Sequence, residues 1–222
     1  MVSQLALPFG VNSVRTRESF VRAPCNEPAF QFIARWPGWP APTAALFGPP
    51  GSGKSHLAAV WCETAGAREI SARNLTLEHT IEEGPLLIED LDREPPSPAR
   101  DVALLALFEK RGVALLLTGR VSPEQWPTAI ADLKSRFRAL IALPLWAPDD
   151  ALLSALAMKH FADRQLDVPD TVVRRIVTQL ERTPDAVAAF VARADIKALA
   201  EKRAVTERLV TELLDAEPGS QL

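Results

Sequence analysis

The octapeptide at residues 48–55, Gly-Pro-Pro-Gly-Ser-Gly-Lys-Ser, leaves few folds open to this chain of 222 residues. It matches the spacing G-x-x-x-x-G-K-[ST], with an apolar run before it and a helical pattern after it. Glycines adopt positive φ angles without strain, so successive backbone N–H groups can point at phosphate oxygens beside a helix N-terminus. The motif therefore predicts a phosphate-binding loop between a strand and a helix.

The residue types of the octapeptide have separate roles in this prediction. The Lys54 ammonium is expected to reach the β and γ phosphates, and the Ser55 hydroxyl is expected to bind Mg²⁺. His56, next on the helix, is a further candidate contact, with a core or surface role as the alternative. The candidate nucleotide-binding residues of this segment are Gly48, Pro49, Pro50, Gly51, Ser52, Gly53, Lys54, Ser55 and His56.

Two adjacent carboxylates follow the apolar run at residues 86–88. A phosphate-binding loop of this type needs one acid for Mg²⁺ and one that orients the attacking water. By register Glu89 takes the metal-side role and Asp90 the water-side role, so both are candidate catalytic residues. Aspartate is usual at the metal position, and the longer glutamate is expected to weaken metal positioning where geometry must hold to about 0.5 Å. A solvated acidic strand end is the alternative.

Short apolar runs alternate with helical patterns up to Pro144, and only helical patterns follow. This order is typical of an α/β domain with a mainly parallel sheet, followed here by a small all-α lid domain. Five strands are predicted, at residues 43–47, 68–71, 86–89, 113–118 and 140–145, and the lid helices at 149–164, 170–181, 185–199 and 206–214. The predicted domains are an N-terminal peptide at 1–12, the α/β domain at 13–147, the lid at 148–216 and a tail at 217–222.

Composition disfavours several classes of protein. The net charge of −3 gives no broad positive field for a polyanion, so autonomous DNA binding is not expected. The two cysteines lack metal-ligand spacing and are expected to be reduced. Because the sequence has neither a run of about 18 apolar residues nor a secretory signal, it predicts a cytoplasmic protein without a membrane span.

The chain resembles the AAA+ ATPases in five features taken together. They are the phosphate-binding loop, the acidic strand end, a polar residue after a later strand, an arginine before the last strand and a helical lid. More narrowly, nearly the whole chain is similar to the DnaA-related regulators of the Hda/HdaA family. The resemblance implies ADP or ATP with Mg²⁺ between sheet and lid. Residues 19–26 are similar to the family's segment that passes over the nucleotide base. It makes Thr118 the sensor 1 position and a candidate nucleotide contact, while Gly119 stands where a polar residue is usual.

The segment Asp-Leu-Lys-Ser-Arg-Phe at residues 132–137 resembles the family motif whose arginine enters the nucleotide site of a neighbouring molecule. The resemblance makes Arg136 a candidate catalytic residue that acts in trans, with Lys134 and Arg138 as further contributors. A guanidinium on the developing γ-phosphate charge raises the rate roughly 10³- to 10⁵-fold. The alternative is a surface arginine in a salt bridge.

Residues 4–9, Gln-Leu-Ala-Leu-Pro-Phe, look like the short peptide with which replication proteins dock on the DNA polymerase III sliding clamp of bacteria. The segment offers one amide side chain and apolar anchors held extended by proline, which suits a hydrophobic groove. The alternative is a strand that packs on its own domain. The candidate clamp-binding residues are Gln4, Leu5, Leu7, Pro8 and Phe9.

The lid departs from the family pattern. Asp185 stands where the family places the sensor 2 arginine, and an acid there repels a γ-phosphate. We therefore expect stable ADP occupancy and weak or no intrinsic hydrolysis, with Arg182 as a substitute cation after a small change of register. No basic helix-turn-helix pattern follows the last predicted helix, so direct recognition of a replication origin is not expected.

These features predict an ADP-bound regulator that docks on the DNA-loaded clamp, contacts ATP-bound DnaA and stimulates hydrolysis of its ATP, which represses initiation of replication. One alternative is an autonomous AAA+ ATPase that loads or remodels a replication protein. Another is a clamp-binding adaptor with a vestigial nucleotide site. The sequence leaves the oligomeric state open, including a homo-oligomer.

Overall fold

The computed structural model describes residues 15–81, 83–93 and 95–216. Five strands form one parallel sheet, which confirms the predicted α/β class. The carboxyl ends of parallel strands meet at one edge, where ligands bind in sheets of this kind. The strands are β1 (Thr43–Phe47), β2 (Arg68–Ser71), β3 (Leu86–Glu89), β4 (Leu115–Gly119) and β5 (Ile141–Pro144). Their order across the sheet is β2-β3-β4-β1-β5.

The strand that precedes the octapeptide, β1, lies between β4 and β5. Phe47, its last residue, pairs with Gly119 on one side and with Pro144 on the other. The strand is largely apolar because both faces of the sheet are covered, as is usual for parallel sheets. The octapeptide follows directly, so the predicted phosphate-binding loop begins at the carboxyl edge of the sheet.

Two helices cover each face of the sheet. α1 (Glu27–Ala34) and α2 (Lys54–Ala65) pack on one face, with α3 (Pro98–Glu109) and α4 (Ala131–Arg138) on the other. Trp61 of α2 and Phe137 of α4 are fully buried in the two cores. Neither α1 nor α4 is predicted from the sequence, because eight residues make only about two turns and carry little periodicity.

The structure corrects the predicted start of β4. The apolar run begins at Val113, but the first residue paired with β1 is Leu115. Val113 and Ala114 are nevertheless buried. An apolar run indicates that its residues are buried. It does not indicate which of them pair with a neighbouring strand.

Four helices after β5 form a small domain with its own core, as predicted. They are α5 (Asp150–Ala162), α6 (Asp170–Gln179), α7 (Pro184–Glu201) and α8 (Glu207–Asp215). Phe161, Phe190 and Leu209 lie fully buried in that core. In the described parts of the chain, no helix combines the length and the apolar character that a membrane crossing needs.

An ion pair is buried at the start of α3. Arg100 and Asp101 are only 3% and 1% exposed, and Arg100 Nη2 lies 2.7 Å from Asp101 Oδ1. The guanidinium also donates to the carbonyl oxygens of Leu91 and Pro127, at 3.2 Å and 2.5 Å. Asp101 Oδ2 accepts the Thr128 hydroxyl at 2.7 Å. The pair therefore ties α3 both to the end of β3 and to the segment before α4.

Removal of the carboxylate charge from this pair is expected to destabilise the fold. Asp101→Asn leaves the Arg100 guanidinium buried without its counter-charge, which should lower the free energy of unfolding by about 3–5 kcal/mol. Urea unfolding at neutral pH measures the loss. Asp132→Asn is the matched control, because its exposed ion pair should contribute less than about 1 kcal/mol. Equal, small losses in both variants would contradict the structural role of the buried pair.

Candidate functional site

The loop between β1 and α2 has a backbone that requires glycine. Gly51 and Gly53 have φ angles of 74° and 95°, in the left-handed region. At Gly48 a Cβ atom would lie 2.0 Å from the carbonyl oxygen of Leu145, the residue after β5. The Gly48 N–H donates to the carbonyl oxygen of Gly119 at 3.2 Å. The ends of β1, β4 and β5 therefore meet around the first residue of the loop.

The loop offers polar groups to a ligand. Ser52 is 3% exposed, and its hydroxyl oxygen has no hydrogen-bond partner among the residues that the structure describes. The Lys54 ammonium donates to carbonyl oxygens of the loop itself, Gly48 at 2.6 Å and Pro49 at 2.8 Å. α2 begins at Lys54, and the first N–H groups of a helix have no acceptor within that helix. This cradle of amides, a hydroxyl and an ammonium fits a chain of phosphates.

Glu89, the last residue of β3, faces the start of α2. Burial, and then the neighbouring carboxyl of Glu69, raise the pKa of the Glu89 carboxyl, and a hydrogen bond from the Ser55 hydroxyl opposes that shift. Burial, followed by the same two glutamates, also raises the pKa of the Cys62 thiol to about 12. The structure thus brings together the two predicted Mg²⁺ ligands, Ser55 and Glu89, whose oxygens suit that ion.

Asp90 and Thr118 are in contact at the carboxyl edge of the sheet. The Asp90 N–H donates to the Thr118 hydroxyl oxygen at 3.1 Å, and the φ angle of Asp90 is 62°. The Asp90 carboxylate accepts a hydrogen bond from Arg93 Nη1 at 3.1 Å. Asp90 and Arg93 line a cavity of about 230 Å³ together with Ser71 and Arg73. The predicted water-side acid therefore lies at the site and shares its carboxylate with an arginine.

Two residues that the sequence motifs do not indicate, Asp92 and Arg120, complete the charges around Lys54. Burial lowers the pKa of the Lys54 ammonium, the charges of Asp90 and Asp92 oppose this shift, and the charge of Arg120 adds to it. Asp92 Oδ2 accepts the N–H groups of Arg120 and Val121 at 2.5 Å and 2.7 Å. The position of Asp92, two residues after Asp90, is a signal in the sequence that it belongs to the site. The sequence does not indicate which groups Asp92 binds, because they lie 28 and 29 residues further along the chain.

The segment before α1 lies against the loop. Phe20 Cε2 is 3.5 Å from the position that a Cβ atom on Gly53 would take. His56 Nε2 lies 2.9 Å from the Thr16 carbonyl oxygen and 3.1 Å from the Ser19 hydroxyl oxygen, and burial lowers the pKa of its ring. The described hydrogen bonds of His56 are therefore made with this segment.

The start of α7 closes another side of the loop. A Cβ atom on Gly51 would lie 3.3 Å from Pro184 Cδ, so the first turn of α7 lies beside the loop. Asp185 belongs to that first turn. Arg182, the predicted substitute cation, pairs through Nη2 with Asp150 Oδ1 at 2.7 Å. The lid thus presents an acid beside the loop, while the nearby arginine is engaged with α5.

The predicted finger residue, Arg136, lies in the last turn of α4. Its Nε donates to Asp132 Oδ2 at 3.0 Å and its Nη2 to Glu109 Oε1 at 3.3 Å. α3 and α4 each lead into the start of a parallel strand, so their last turns lie toward the sheet edge opposite the loop. These contacts match the alternative of a surface arginine in a salt bridge. The predicted clamp-binding residues 4–9 are outside the part of the chain that the structure describes.

Solved structures of known proteins share this fold. Domain III of the replication initiation protein DnaA from Thermotoga maritima matches with a TM-score of 0.75 and 18% identity, over 92% of this chain and 97% of that chain. The RuvB Holliday junction branch migration motor of Thermotoga maritima matches with a TM-score of 0.72 and 18% identity, over 91% and 72%. The chain has the AAA+ fold. No protein-family model matches the sequence, and no curated protein matches it significantly.

Ser52→Ala separates a ligand-binding role of this hydroxyl from a structural one. Removal of a buried hydroxyl without a partner should leave the free protein equally stable or about 1 kcal/mol more stable. The same change should reduce the thermal stabilisation by MgADP, measured by scanning calorimetry, because a phosphate contact is lost. Ser135→Ala, on the exposed side of α4, is the control and should alter neither quantity. Lower stability of the free variant with a full response to MgADP would make the hydroxyl structural.

Proposed function

We propose that this chain is a nucleotide-dependent switch that binds ADP or ATP with Mg²⁺. The observation that carries the proposal is the cradle at residues 48–55, where a glycine backbone, the buried Ser52 hydroxyl and the Lys54 ammonium converge at the start of α2. The cradle lies at the carboxyl edge of a parallel sheet. The AAA+ fold shared with DnaA and RuvB supports the same function.

The residues of the site divide the work of holding a nucleotide. Lys54 exchanges its two carbonyl hydrogen bonds for the β and γ phosphates. Ser55 and Glu89 would hold Mg²⁺, and the ion would neutralise charge on the phosphate oxygens. Glu89 must be ionised to do so, although burial and Glu69 raise its pKa. Thr118 fixes the backbone of Asp90, whose carboxylate orients water once it leaves its arginine partner.

Slow intrinsic hydrolysis is part of the proposal. Asp185 places a negative charge in the first turn of α7, and Arg182 is engaged with Asp150. The lid therefore neutralises a γ-phosphate poorly, whereas a diphosphate carries less charge to repel. The Asp90 carboxylate is also paired with Arg93, so it is less available to orient the attacking water. These features favour retention of ADP.

We expect the purified protein to carry ADP, which mass spectrometry of the released nucleotide detects. Lys54→Ala should lower the bound fraction, because loss of a charge-assisted contact weakens affinity by about tenfold or more. Lys197→Ala, which removes a lid lysine paired with Glu212, is the control and should retain the nucleotide. The proposal fails if the wild-type protein carries no nucleotide and neither MgADP nor MgATP shifts its thermal unfolding.

Within this function we propose a narrower role, that of an ADP-bound regulator of the Hda/HdaA type. It docks on the DNA polymerase III sliding clamp through residues 4–9 and stimulates ATP hydrolysis by DnaA. The similarity to nearly the whole of DnaA domain III supports contact between two domains of one fold. Clamp docking raises the local concentration, so that contact can be weak.

Arg136 is the residue through which the regulator acts on the ATP of DnaA. Its place toward the sheet edge opposite its own loop favours a target on another molecule. Its partners Glu109 and Asp132 are exposed carboxylates, and such pairs contribute no more than about 1 kcal/mol. The guanidinium can therefore leave these carboxylates and bind a triphosphate. The negative charge that develops on the γ-phosphate makes that group a stronger partner than an exposed carboxylate.

Stimulation of DnaA is measured with ATP-bound DnaA and clamp loaded on DNA. Arg136→Ala should reduce stimulation by about 10³-fold or more, because the charge that meets the γ-phosphate is removed, while nucleotide and clamp binding remain. Glu109→Gln keeps the arginine and removes one of its partners, so it should stimulate normally. Arg138→Ala tests the neighbouring exposed arginine. Normal stimulation by Arg136→Ala would remove the finger assignment.

An autonomous AAA+ ATPase that loads or remodels a replication protein is the second candidate. The contact between Thr118 and Asp90 favours it, because it fixes the backbone of the water-side acid against β4. Turnover by the isolated protein that depends on both Lys54 and Asp90 would support this ATPase. A clamp-binding adaptor with a vestigial site instead predicts that Lys54→Ala changes neither folding nor partner binding.

A further inference from the structure

We propose that the cavity between the carboxyl ends of β2 and β3 is a second anion site, apart from the nucleotide cradle, and that it holds the phosphate ion that hydrolysis releases. The source of the ion rests on the proposed nucleotide site, whereas the cavity itself does not. The cavity has a volume of about 230 Å³ and is lined by Ser71, Arg73, Asp90 and Arg93. Its position, its charge, its size and the weakness of one ion pair carry the inference.

The cavity lies at the carboxyl edge of the sheet, one strand away from the strands that surround the phosphate loop. Ser71, the last residue of β2, pairs with Glu89, the last residue of β3, so both strands end at the same level. β4 lies between β3 and β1, the strand that leads into the loop. The cavity is therefore separate from the cradle, although it borders the proposed water-side acid.

The backbones of the two arginines that line the cavity are held by their neighbours. Arg73 lies in a short helical turn after β2, between Ala72 and Leu75, which are each 2% exposed. Arg93 closes a turn after β3, in which its N–H donates to the Asp90 carbonyl oxygen at 3.2 Å. Both side chains thus start from an ordered backbone, as ligand-binding groups require.

The side chains around the cavity carry more positive than negative charge. Two arginines and one aspartate line it, which gives a formal charge of +1. Among the residues that the structure describes, none forms a hydrogen bond or an ion pair with the Arg73 guanidinium. Guanidinium groups bind phosphate oxygens through paired N–H donors, and the Ser71 hydroxyl can donate as well. The cavity therefore suits an anion with several oxygens.

The Arg93 guanidinium is paired with Asp90, but the pair is exposed. Arg93 Nη1 lies 3.1 Å from Asp90 Oδ2, and the two side chains are 58% and 39% exposed. Exposed ion pairs are weak, because water screens both charges. A phosphate ion presents more oxygens and more charge than a carboxylate, so it can draw the guanidinium from Asp90. The ion and the Asp90 carboxylate therefore compete for one arginine.

The volume of the cavity favours a small ion over a nucleotide. Pockets that enclose drug-sized ligands measure about 300–1,000 Å³, and one water molecule occupies about 30 Å³ of the liquid. A cavity of about 230 Å³ has room for a phosphate ion with a few water molecules. In the proposed function, hydrolysis yields that ion beside Asp90, which borders both the nucleotide site and the cavity. Phosphate is thus the anion that the adjacent chemistry supplies.

Isothermal titration calorimetry tests this inference with inorganic phosphate added to the full chain, at constant ionic strength in chloride. Saturating Mg²⁺ and the slowly hydrolysed analogue ATPγS fill every phosphate position of the cradle. Arg73→Gln should weaken phosphate binding by about tenfold or more, because a charge-assisted contact is lost. Arg111→Gln is the matched control. Arg111 is also exposed and has neither a hydrogen bond nor an ion pair in the described ranges, but it precedes β4.

A second variant tests the competition and should have the opposite effect. Asp90→Asn should strengthen phosphate binding by at least about threefold, because it removes a negative charge from the cavity and releases Arg93. The φ angle of Asp90 is 62°, a left-handed value that asparagine also adopts, so the backbone should be retained. A purely structural role of Arg73 would not make Asp90→Asn bind phosphate more tightly.

The outcomes separate this inference from the proposed function. Weaker binding in Arg73→Gln, tighter binding in Asp90→Asn and unchanged binding in Arg111→Gln support the inference. No phosphate binding by the wild-type protein, equal binding in Arg73→Gln, or no gain in Asp90→Asn overturns it and leaves the nucleotide site standing. Phosphate binding that depends on Arg73 in a protein without affinity for ADP or ATPγS supports the anion site and overturns the proposed function. A protein that binds neither phosphate nor nucleotide overturns both.

Discussion

The close approach of Gly48 to Leu145 is the constraint on which the candidate site depends. A Cβ atom at Gly48 would lie 2.0 Å from the Leu145 carbonyl oxygen, so β1 must be followed by glycine if β5 is to lie beside it. The same glycine bonds to Gly119 at the end of β4. Three strand ends are thereby held around one residue. α2, the lid and the segment that begins at Arg120 each follow one of these strand ends and therefore start from fixed points. The sheet thus sets the geometry of the site.

Elements with local signals could be predicted from the sequence. The octapeptide marks where β1 ends and α2 begins, and the apolar run before Glu89 marks β3. α1 and α4 could not be predicted, because each is too short to show a helical period. The buried setting of Arg100 was equally hidden. Its partners include the carbonyl oxygens of Leu91 and Pro127, and nothing near Arg100 in the sequence indicates them.

The same limit applies to the charges of the site. Arg120 follows an apolar strand as many polar residues do, and its place among the charges around Lys54 appears only when Asp92 is found to hold its backbone from 28 residues away. His56 is the converse case. Its position after Ser55 suggests a nucleotide contact, yet its described bonds are to Thr16 and Ser19. Sequence motifs identify candidate groups, and the fold decides what each group faces.

The buried ion pair bears on how a nucleotide can act at a distance. Arg100 and Asp101 join the end of β3, which carries the site acids, to the segment before α4, which carries Arg136. Neither charge is solvated, so breaking the hydrogen bonds that join these segments would leave buried charged groups unsatisfied, and the connection resists movement. A change of nucleotide therefore has little freedom to move Arg136 within the α/β domain. The lid has its own core, and Pro184 and Thr183 at the start of α7 lie beside Gly51, 3.3 Å and 3.9 Å from the position that a Cβ atom on Gly51 would take. A nucleotide-dependent change is accordingly expected in the position of the lid, beside a sheet that presents Arg136 unchanged.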